Sequence, residues 1–309
     1  MEANIHNKFQ GQLRMDMDDA KPAIAIVPYG MRPDRDFAAR ALSTLDWPLG
    51  LPDRLVGGSV GDLAVNDHLV FYPSSSLWLI RLKAIKAQIS LMIVEPTAIH
   101  RRHMRMARLL HRKFAFVITC NPNLLGAIPN GVFLAYGTSW VPEWEDLALS
   151  KTENTSLIAS NKQDLAGHKL RHKVAHWAQT HAPHVKLLGR AFEPFEKKAD
   201  GLAPFRYSIV IENVREPSYF TEKLIDALLC KTVPIYWGSP DIGRFFDING
   251  MIICEGFGDI KEALAKCSDS DYAARLKPLL DNQARAAKYV NLHRRAAESI
   301  AERLQISSE

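Results

Sequence analysis

Charged and polar side chains gather where an apolar run gives way to a helical pattern. Residues 211–224 read IENVREPSYFTEKL, with Glu212 at the end of the apolar run and Thr221 and Lys223 at the head of the helical one. Thr221 is a suitable N-cap, and the first turn of a helix offers free backbone N–H groups and the positive end of the dipole. This helix start predicts a site for an anion such as a phosphate or pyrophosphate, the alternative being a capped surface helix with solvated charges.

The elements around this stretch alternate between strand and helix. Near-continuous apolar runs, each followed by a helical pattern, predict parallel strands that are covered on both faces. The predicted strands of the first half are 23–27, 68–72, 89–94 and 114–119, with helical patterns at 76–87 and 99–113. After the polar stretch 141–155, the predicted strands are 156–160, 185–188, 207–211, 233–237 and 251–254, with helices at 164–180, from 221 and from 259. The sequence therefore predicts an α/β protein with two doubly wound, Rossmann-like domains.

The length of 309 residues suits two domains of about 150 residues each. We predict a first domain over residues 1–152 and a second over residues 153–309. The second domain ends in a helical tail from about residue 270. Pro278 is expected to interrupt this tail, and the tail is expected to pack on the domains or to bridge them. Two such domains that face each other form a cleft, and ligands of such sheets bind beyond the carboxyl ends of the strands.

Composition is that of an ordinary globular protein. Hydrophobic residues make up 47% and charged residues 24% of the chain, and the net charge of +5 only slightly favours anionic partners. The four cysteines show no CxxC spacing, which indicates reduced thiols. The sequence shows no export signal and no apolar stretch of about 18 residues. We therefore expect a soluble cytoplasmic protein without nucleic-acid partners.

Residues 205–247 resemble the donor-binding domain of the alpha-1,3/alpha-1,4 fucosyltransferase family, glycosyltransferase family 10, in its bacterial type. The motifs E-N at 212–213, T-E-K at 221–223 and P-I-Y-W-G-S-P at 234–240 occur at the family's spacing. The resemblance implies a GT-B-like fold with two Rossmann-like domains that face a cleft.

Outside that block the resemblance is weaker. The sequence IASN at 158–161, followed by Arg171, looks like the family's S-N…R segment, and residues 129–140 resemble a segment that closes the first domain of bacterial members. The resemblance implies that residues 1–152 bind the acceptor and that residues 153–309 bind GDP-fucose.

The resemblance also implies roles for individual residues. The charges of Lys223 and Arg171 would neutralise the departing diphosphate, with Lys169 as a rival for Arg171. Glu222 would lie by the donor sugar or ribose and stabilise positive charge at the anomeric carbon, unless it only complements the helix dipole. Glu212 is expected to organise the loop. The other implied donor-binding residues are Ser160, Asn161, Asn213, Tyr219, Thr221, Gly238 and Ser239, and for Ser239 a purely structural role is equally compatible.

The base that takes the acceptor proton has to face the donor across the cleft. Glu95 ends the apolar run 89–94 and precedes Pro96 and a helix, so it is predicted to lie on the cleft side. The family carries its base on a comparable strand end in an E-S-P setting, whereas this chain reads E-P-T. Glu95 is therefore interpreted either as the general base or as a residue that caps the following helix.

No cluster of metal ligands accompanies these residues in the sequence. D-x-D triplets occur only at 16–18 and 269–271, in polar segments away from strand ends. Two cations and a helix dipole can do what a divalent ion does elsewhere. We therefore predict a reaction without metal or other cofactor, with GDP-fucose as the donor substrate.

A run of basic residues without an acid lies in the first half of the chain. It holds Arg101, Arg102, Arg105, Arg108, Arg112 and Lys113. A solvated helix face explains it, and the alternative is a peripheral contact with anionic glycolipid or with the inner membrane surface.

The resemblance as a whole implies an inverting glycosyltransferase. It would move L-fucose from GDP-fucose to a hydroxyl group of a glycan or glycolipid acceptor, in an alpha-1,3-type linkage. Two alternatives stay open: the same fold with another nucleotide sugar, and a catalytically inactive nucleotide-binding protein. The role of Glu95 distinguishes the inactive protein from the two enzymes, because an inverting transfer needs a base.

Overall fold

Two parallel β-sheets form the framework of the molecule. The computed structural model describes residues 21–79, 82 and 84–306. The strands of the first sheet, in chain order and also in spatial order, are β1 Ile24–Ile26, β2 His68–Phe71, β3 Gln88–Ile93, β4 Val117–Thr119 and β5 Gly131–Phe133. Those of the second sheet are β6 Glu153–Ile158, β7 Val185–Leu188, β8 Phe205–Ile211, β9 Val233–Trp237 and β10 Ile252–Ile253, in the spatial order β10-β9-β8-β6-β7. The predicted α/β class with two parallel sheets is confirmed.

Helices connect the strands and follow them. In the first half they are α1 Ser75–Leu79, α2 Thr97–Leu110 and α3 Pro122–Leu125. In the second half they are α4 Ala166–His181, α5 Glu222–Leu229, α6 Phe257–Lys266, α7 Asp269–Ala286 and α8 Leu292–Ile306. Strand β5 was not predicted, because a run of three residues is too short to show a period. The helix predicted at 76–87 is confirmed as far as residue 79 and is wrong at 84–87, which are not helical; residues 80, 81 and 83 lie outside the described part of the chain.

The two faces of the first sheet are covered from distant parts of the chain. Strands that follow one another in order, with crossovers of one hand, have their connections on one face. The connecting segments, including α1 and α2, form a single core with that face. The opposite face packs against α8 through Ala296, Ala297 and Ile300. Thus α8, which the sequence division assigned to the second domain, packs on the first sheet, and the boundary at residues 152 and 153 itself stays a prediction.

The second sheet changes direction between β6 and β8. The chain passes from β6 to β7 at one edge and then returns to build β8, β9 and β10 on the other side. Such a reversal leaves a crevice between neighbouring carboxyl ends, and this is where doubly wound sheets bind ligands. The strand order alone therefore directs a ligand to the ends of β6 and β8.

Helix α7 continues through Pro278, so the predicted interruption there is wrong. A proline lacks the N–H group and crowds the preceding turn, which favours a break. Contacts after the proline hold the helix instead: Leu279 and Asn282 are buried, and the Asn282 amide binds the backbone N–H and carbonyl oxygen of Asp247 at 2.7 and 2.8 Å. Tertiary contacts outweigh the local preference.

Gly167, in the first turn of α4, is the point where this helix meets the end of β8. Its N–H donates to the carbonyl oxygen of Asn213 at 3.0 Å. A Cβ atom on Gly167 would lie 1.7 Å from the carbonyl oxygen of Glu212. Only glycine permits this approach, which brings Arg171, one turn further along α4, to the crevice.

We expect Gly167→Ala to lower the free energy of unfolding by more than about 2 kcal/mol, because the backbone at Glu212 has to move away from α4. Gly258→Ala is the matched control. Nothing lies within 4 Å of the Cβ position of Gly258, and alanine is favoured over glycine in a helix by about 1 kcal/mol. Urea unfolding followed by circular dichroism measures the stability of both variants. Equal unfolding midpoints for the two variants would contradict the close contact between Gly167 and Glu212.

Candidate functional site

A cavity of about 490 Å³ lies at the carboxyl ends of β6, β7 and β8. Ser160, Gly189 and Asn213, which follow these three strands, line it together with the start of α5. Glu95, after β3, and Tyr136, after β5, line it from the first sheet. Both sheets therefore contribute to one cavity, at the crevice that the strand order indicates.

The carboxylate of Glu212 joins the end of β8 to the start of α5. It is buried and accepts two hydrogen bonds from Thr221, one from the backbone N–H at 2.8 Å and one from the hydroxyl at 2.7 Å. The Thr221 hydroxyl oxygen accepts in turn from the N–H of Lys223 at 3.3 Å. Burial raises the pKa of Glu212, and the charge of Lys223 opposes this. Thr221 is confirmed as the N-cap and Glu212 as the residue that organises the loop.

Glu222 and Lys223 form an ion pair in the cavity wall. The Lys223 ammonium donates to the Glu222 carboxylate at 2.9 Å. Burial tends to raise the pKa of Glu222, but the charges of Lys223 and Lys198 outweigh it and the pKa lies below its ordinary value. Glu222 is therefore held as an anion, while the Lys223 side chain is 23% exposed and open to a ligand.

Arg171 lies deep in the same wall. Its buried guanidinium donates to the carbonyl oxygen of Ile211, the last residue of β8. One turn earlier, the His168 ring lies 3.1 Å from the amide oxygen of Asn213, and burial and the charge of Arg171 lower the pKa of His168. Both side chains line the cavity, whereas Lys169 is exposed and lies outside the lining. The fold thus brings Arg171, and not its rival, to the cavity.

Glu95 faces these charges from the first sheet. Its side chain is half-buried, and within the described residues nothing donates a hydrogen bond to it. Burial raises the pKa of Glu95; the charge of Lys223 lowers it and that of Glu222 raises it further. A carboxylate with a raised pKa and no bonded partner is suited to take a proton from a ligand.

The capping role considered for Glu95 belongs to another residue. The N–H of Thr97, at the start of α2, has no acceptor within the helix. It donates to the carboxylate of Glu216 at 3.0 Å. No side chain caps α2 at its N-cap residue, Pro96. Glu95 is therefore not needed to hold α2.

Tyr219 stacks on Tyr136 across the two sheets. Their ring centroids are 6.3 Å apart and their planes differ by 4°. Arg295 of α8 fixes the Tyr136 segment, since its guanidinium donates to the carbonyl oxygens of Ala135 at 2.9 Å and of Tyr136 at 3.2 Å. Both rings line the cavity, so one aromatic contact couples the two sides of the cleft.

Three of the predicted donor-binding residues, Asn161, Gly238 and Ser239, lie outside the cavity lining. A Cβ atom on Gly238 would lie 2.3 Å from the hydroxyl oxygen of Tyr236. The Ser239 hydroxyl donates to the carboxylate of Asp241 at 2.6 Å. The contacts of Gly238 and Ser239 are thus those of a packed turn, which favours the structural interpretation over a close approach to a nucleotide.

The cavity also contains residues that the sequence motifs did not identify. They are Tyr136, Trp140, Lys162, His168, Arg190, Phe195 and Lys198. Lys198 binds the Asp226 carboxylate at 2.7 Å and lies 4.7 Å from the centre of the Trp140 ring. Arg190 could have been found, because it lies two residues after the predicted strand 185–188, at the end where ligands bind. Nothing in the sequence brings Lys198 and Trp140 together.

Basic side chains outnumber acidic ones around the cavity. Lys162, Arg171, Arg190, Lys198 and Lys223 line it, against Glu95 and Glu222. Such a field suits a ligand with several negative charges, such as a diphosphate.

Within the described ranges, no group of three or more His, Cys, Asp or Glu side chains could hold a metal ion. The D-x-D triplet at 16–18 lies outside these ranges. In the triplet at 269–271, Asp271 accepts from Arg275 at 2.9 Å and from the hydroxyl of Tyr207, also at 2.9 Å.

The basic run on α2 and just after it is exposed. This holds for Arg101, Arg102, Arg105, Arg108, Arg112 and Lys113. The exposure fits a solvated helix face, and a contact with glycolipid or membrane stays a prediction. Among the residues described, we find no helix with the length and apolar character needed to cross a bilayer.

Comparisons with known proteins converge on one class. A family model described as glycosyltransferase family 10 (fucosyltransferase) C-term matches residues 148–302. Over 69 residues the chain is 33% identical to the alpha-(1,3)-fucosyltransferase FucT of Helicobacter pylori, a match that covers 22% of this chain and 14% of that protein.

A solved structure shows the same architecture. HepE of Anabaena, in complex with UDP and glucose, is similar with a TM-score of 0.55 and 13% identity over 77% of this chain and 78% of that one. An alpha1,3-fucosyltransferase with GDP-fucose has a TM-score of 0.47 and 18% identity over 71% and 70% of the two chains. The likeness to HepE concerns the fold, and the predicted GT-B-like arrangement is confirmed.

We expect Thr221→Val to lower the free energy of unfolding by about 1–3 kcal/mol, because the buried Glu212 carboxylate loses a donor and α5 loses its cap. Thr221→Ser keeps both hydrogen bonds and is the control; it loses one methyl group, worth about 1 kcal/mol. Chemical denaturation at neutral pH measures both variants. If valine is tolerated as well as serine, the Glu212 junction does not carry the stability assigned to it.

Proposed function

The chain belongs to glycosyltransferase family 10, the fucosyltransferases, and on that premise we propose that it transfers L-fucose from GDP-fucose to a hydroxyl group of an acceptor glycan. One observation carries the proposal: the cationic start of α5 and Arg171 share a cavity with a carboxylate, Glu95, that comes from the opposite sheet. The partial likeness to the Helicobacter pylori enzyme supports an alpha-1,3-type linkage.

On the donor side, charge neutralisation is the main requirement. As the bond from the anomeric carbon to the diphosphate breaks, negative charge grows on the leaving oxygen. Lys223, Arg171 and the positive end of the α5 dipole are what we assign to that charge, with Lys162 and Arg190 beside them. Because several cations already surround the cavity, we propose that the transfer needs no divalent ion.

On the acceptor side, the reaction needs a proton acceptor. In an inverting transfer the acceptor oxygen attacks the anomeric carbon from the face opposite the diphosphate, and its proton passes to a base while GDP leaves. Glu95 is suited to this step by its raised pKa and its lack of a bonded partner among the described residues. Glu222, an anion next to Lys223, is assigned to the positive charge that develops on the sugar.

Lys223→Ala and Arg171→Ala are each expected to weaken GDP binding by about 1.5–3 kcal/mol, the range for a hydrogen bond to a charged group. Isothermal titration calorimetry of the full chain with GDP, UDP and CMP, in EDTA, measures this. The exposed Lys169→Ala is the matched control for loss of a positive charge near the cavity, and it should bind GDP as the wild type does.

Manganese added to the same titrations and to turnover assays should change neither GDP affinity nor rate by more than about twofold. Loss of turnover in EDTA that manganese restores would contradict the metal-free proposal. Tight binding of UDP alone would contradict the fucosyl donor.

Glu95→Gln should preserve GDP affinity and lower turnover by about 10²–10⁴-fold, the usual contribution of a general base. When the pH is lowered, Glu95 becomes protonated and the wild-type rate falls. Because the pKa of Glu95 is raised, this fall begins at a higher pH than it would with an ordinary glutamate. That acidic limb should be absent from the pH profile of Glu95→Gln, since glutamine does not titrate. A variant that keeps more than a tenth of wild-type turnover would show that the base lies elsewhere.

A further inference from the structure

The start of α2, two residues after Glu95, is held by a residue from the other half of the chain. The carboxylate of Glu216 accepts from the N–H of Thr97 at 3.0 Å, across 119 residues of sequence. The helix itself supplies neither a side-chain cap nor an acid in its first turn. An acceptor with a negative charge is favourable at the positive end of a helix. Glu216 therefore provides what the sequence of α2 lacks.

Thr97 is also fixed from within the first sheet. Its hydroxyl oxygen accepts from the side-chain amide of Asn121, beyond β4, at 3.1 Å. Pro96, between Glu95 and Thr97, is buried and has a backbone that its ring restrains. The Glu95 side chain receives no hydrogen bond within the described residues, so its position follows from its backbone. That backbone runs from the end of β3 to the anchored Thr97.

Glu216 belongs to the segment 213–219, which connects β8 to the start of α5. Both ends of this segment, Asn213 and Tyr219, line the cavity. The N–H of Tyr219 donates to the carbonyl oxygen of Glu216 at 3.3 Å, so the two residues share one turn. The residue that binds α2 is thus joined directly to a residue of the cavity wall.

The segment 213–219 is held in a conformation that it would not adopt alone. Ser218 has a φ of +60°, which is unfavourable for residues other than glycine. The Asp241 carboxylate holds it by accepting from the Ser218 N–H at 2.6 Å and from the Ser218 hydroxyl at 3.0 Å. Asp241 follows the motif 234–240, and the hydroxyl of Ser239 in that motif binds the same carboxylate at 2.6 Å. The motif therefore fixes the segment that carries Glu216.

We propose that Glu216 is a positioning residue for Glu95. It ties the start of α2 to the segment 213–219, so that the same segment lines the donor cavity and sets the place of the base. Glu216 is not among the residues that line the cavity, and it acts through the backbone at Thr97. This inference rests on the proposed function and adds a residue that aligns its two sides. A displacement of about 1 Å in a reacting group can lower a rate by roughly 10²-fold.

The test measures the GDP that the full chain releases from GDP-fucose, with N-acetyllactosamine or water as the acceptor, since either brings a proton to the base. Glu216→Ala should lower kcat by about 10–100-fold. Calorimetry should find its GDP affinity within about twofold of the wild type, because the cavity lining is intact. Glu216→Gln keeps an oxygen that accepts from Thr97 and should recover most of kcat.

Glu255→Ala is the matched control. It removes a carboxylate that binds Arg215, the neighbour of Glu216, and leaves the bond to α2 in place. Its kcat should stay within about twofold of the wild type, as expected for an exposed ion pair.

A double-mutant cycle separates positioning from a general loss of structure. In a chain that already carries Glu95→Gln, Glu216→Ala should cost less than about threefold, because no base is left to misplace. A structural effect would lower the rate by the same factor in both backgrounds, and that result would overturn the proposal. An unchanged kcat in Glu216→Ala would also overturn it, as would an equal loss in Glu216→Gln.

These outcomes leave the proposed function standing, since the wild-type chain still consumes GDP-fucose. Wild-type turnover in Glu95→Gln would remove the base, and with it the role of Glu216, but not the transfer of fucose. A wild-type chain that releases no GDP from GDP-fucose with either acceptor would overturn the proposed function itself.

Discussion

The buried carboxylate of Glu212 is the interaction on which the rest of the site depends. A carboxylate removed from water is costly unless donors satisfy it, and here Thr221 supplies one donor to each oxygen. The positive end of α5 adds to this stabilisation. Because α5 cannot slide or turn without breaking these bonds, Glu222 and Lys223 are held in one orientation at the cavity.

The same strand end is packed from two further sides. Gly167 lets α4 come against the backbone of Glu212, and Gly238 lets the turn after β9 come against its side chain, where a Cβ atom would lie 2.7 Å from Cγ. The approach of α4 places Arg171 beside Ile211. The buried Glu212 and the two glycines, Gly167 and Gly238, thereby fix the cationic wall of the cavity. A rigid wall can stabilise developing charge without reorganising.

Two glutamates at the cavity differ because their surroundings differ. Burial tends to raise the pKa of both, but Glu222 is bonded to Lys223 and its pKa is lowered, while Glu95 has no bonded partner in the described residues and its pKa is raised. One carboxylate stays charged beside Lys223, and the other, which follows a strand of the facing sheet, is able to take up a proton. Environments that separate the pKa values of two like groups are how one site assigns them different roles.

The sequence by itself determined the alternation of strands and helices, the ends of the buried strands and the cap at Thr221. These features depend on the spacing of buried apolar residues and on hydrogen bonds between residues a few positions apart, so they leave a local pattern in the sequence. Only the tertiary structure decided that α8 covers the first sheet, that α7 continues through Pro278, that Glu216 binds the start of α2 and that Lys198 joins the motif residues in one cavity. Each of these rests on contacts between distant parts of the chain, where the packing of a whole layer outweighs local preference and leaves no periodic trace in the sequence.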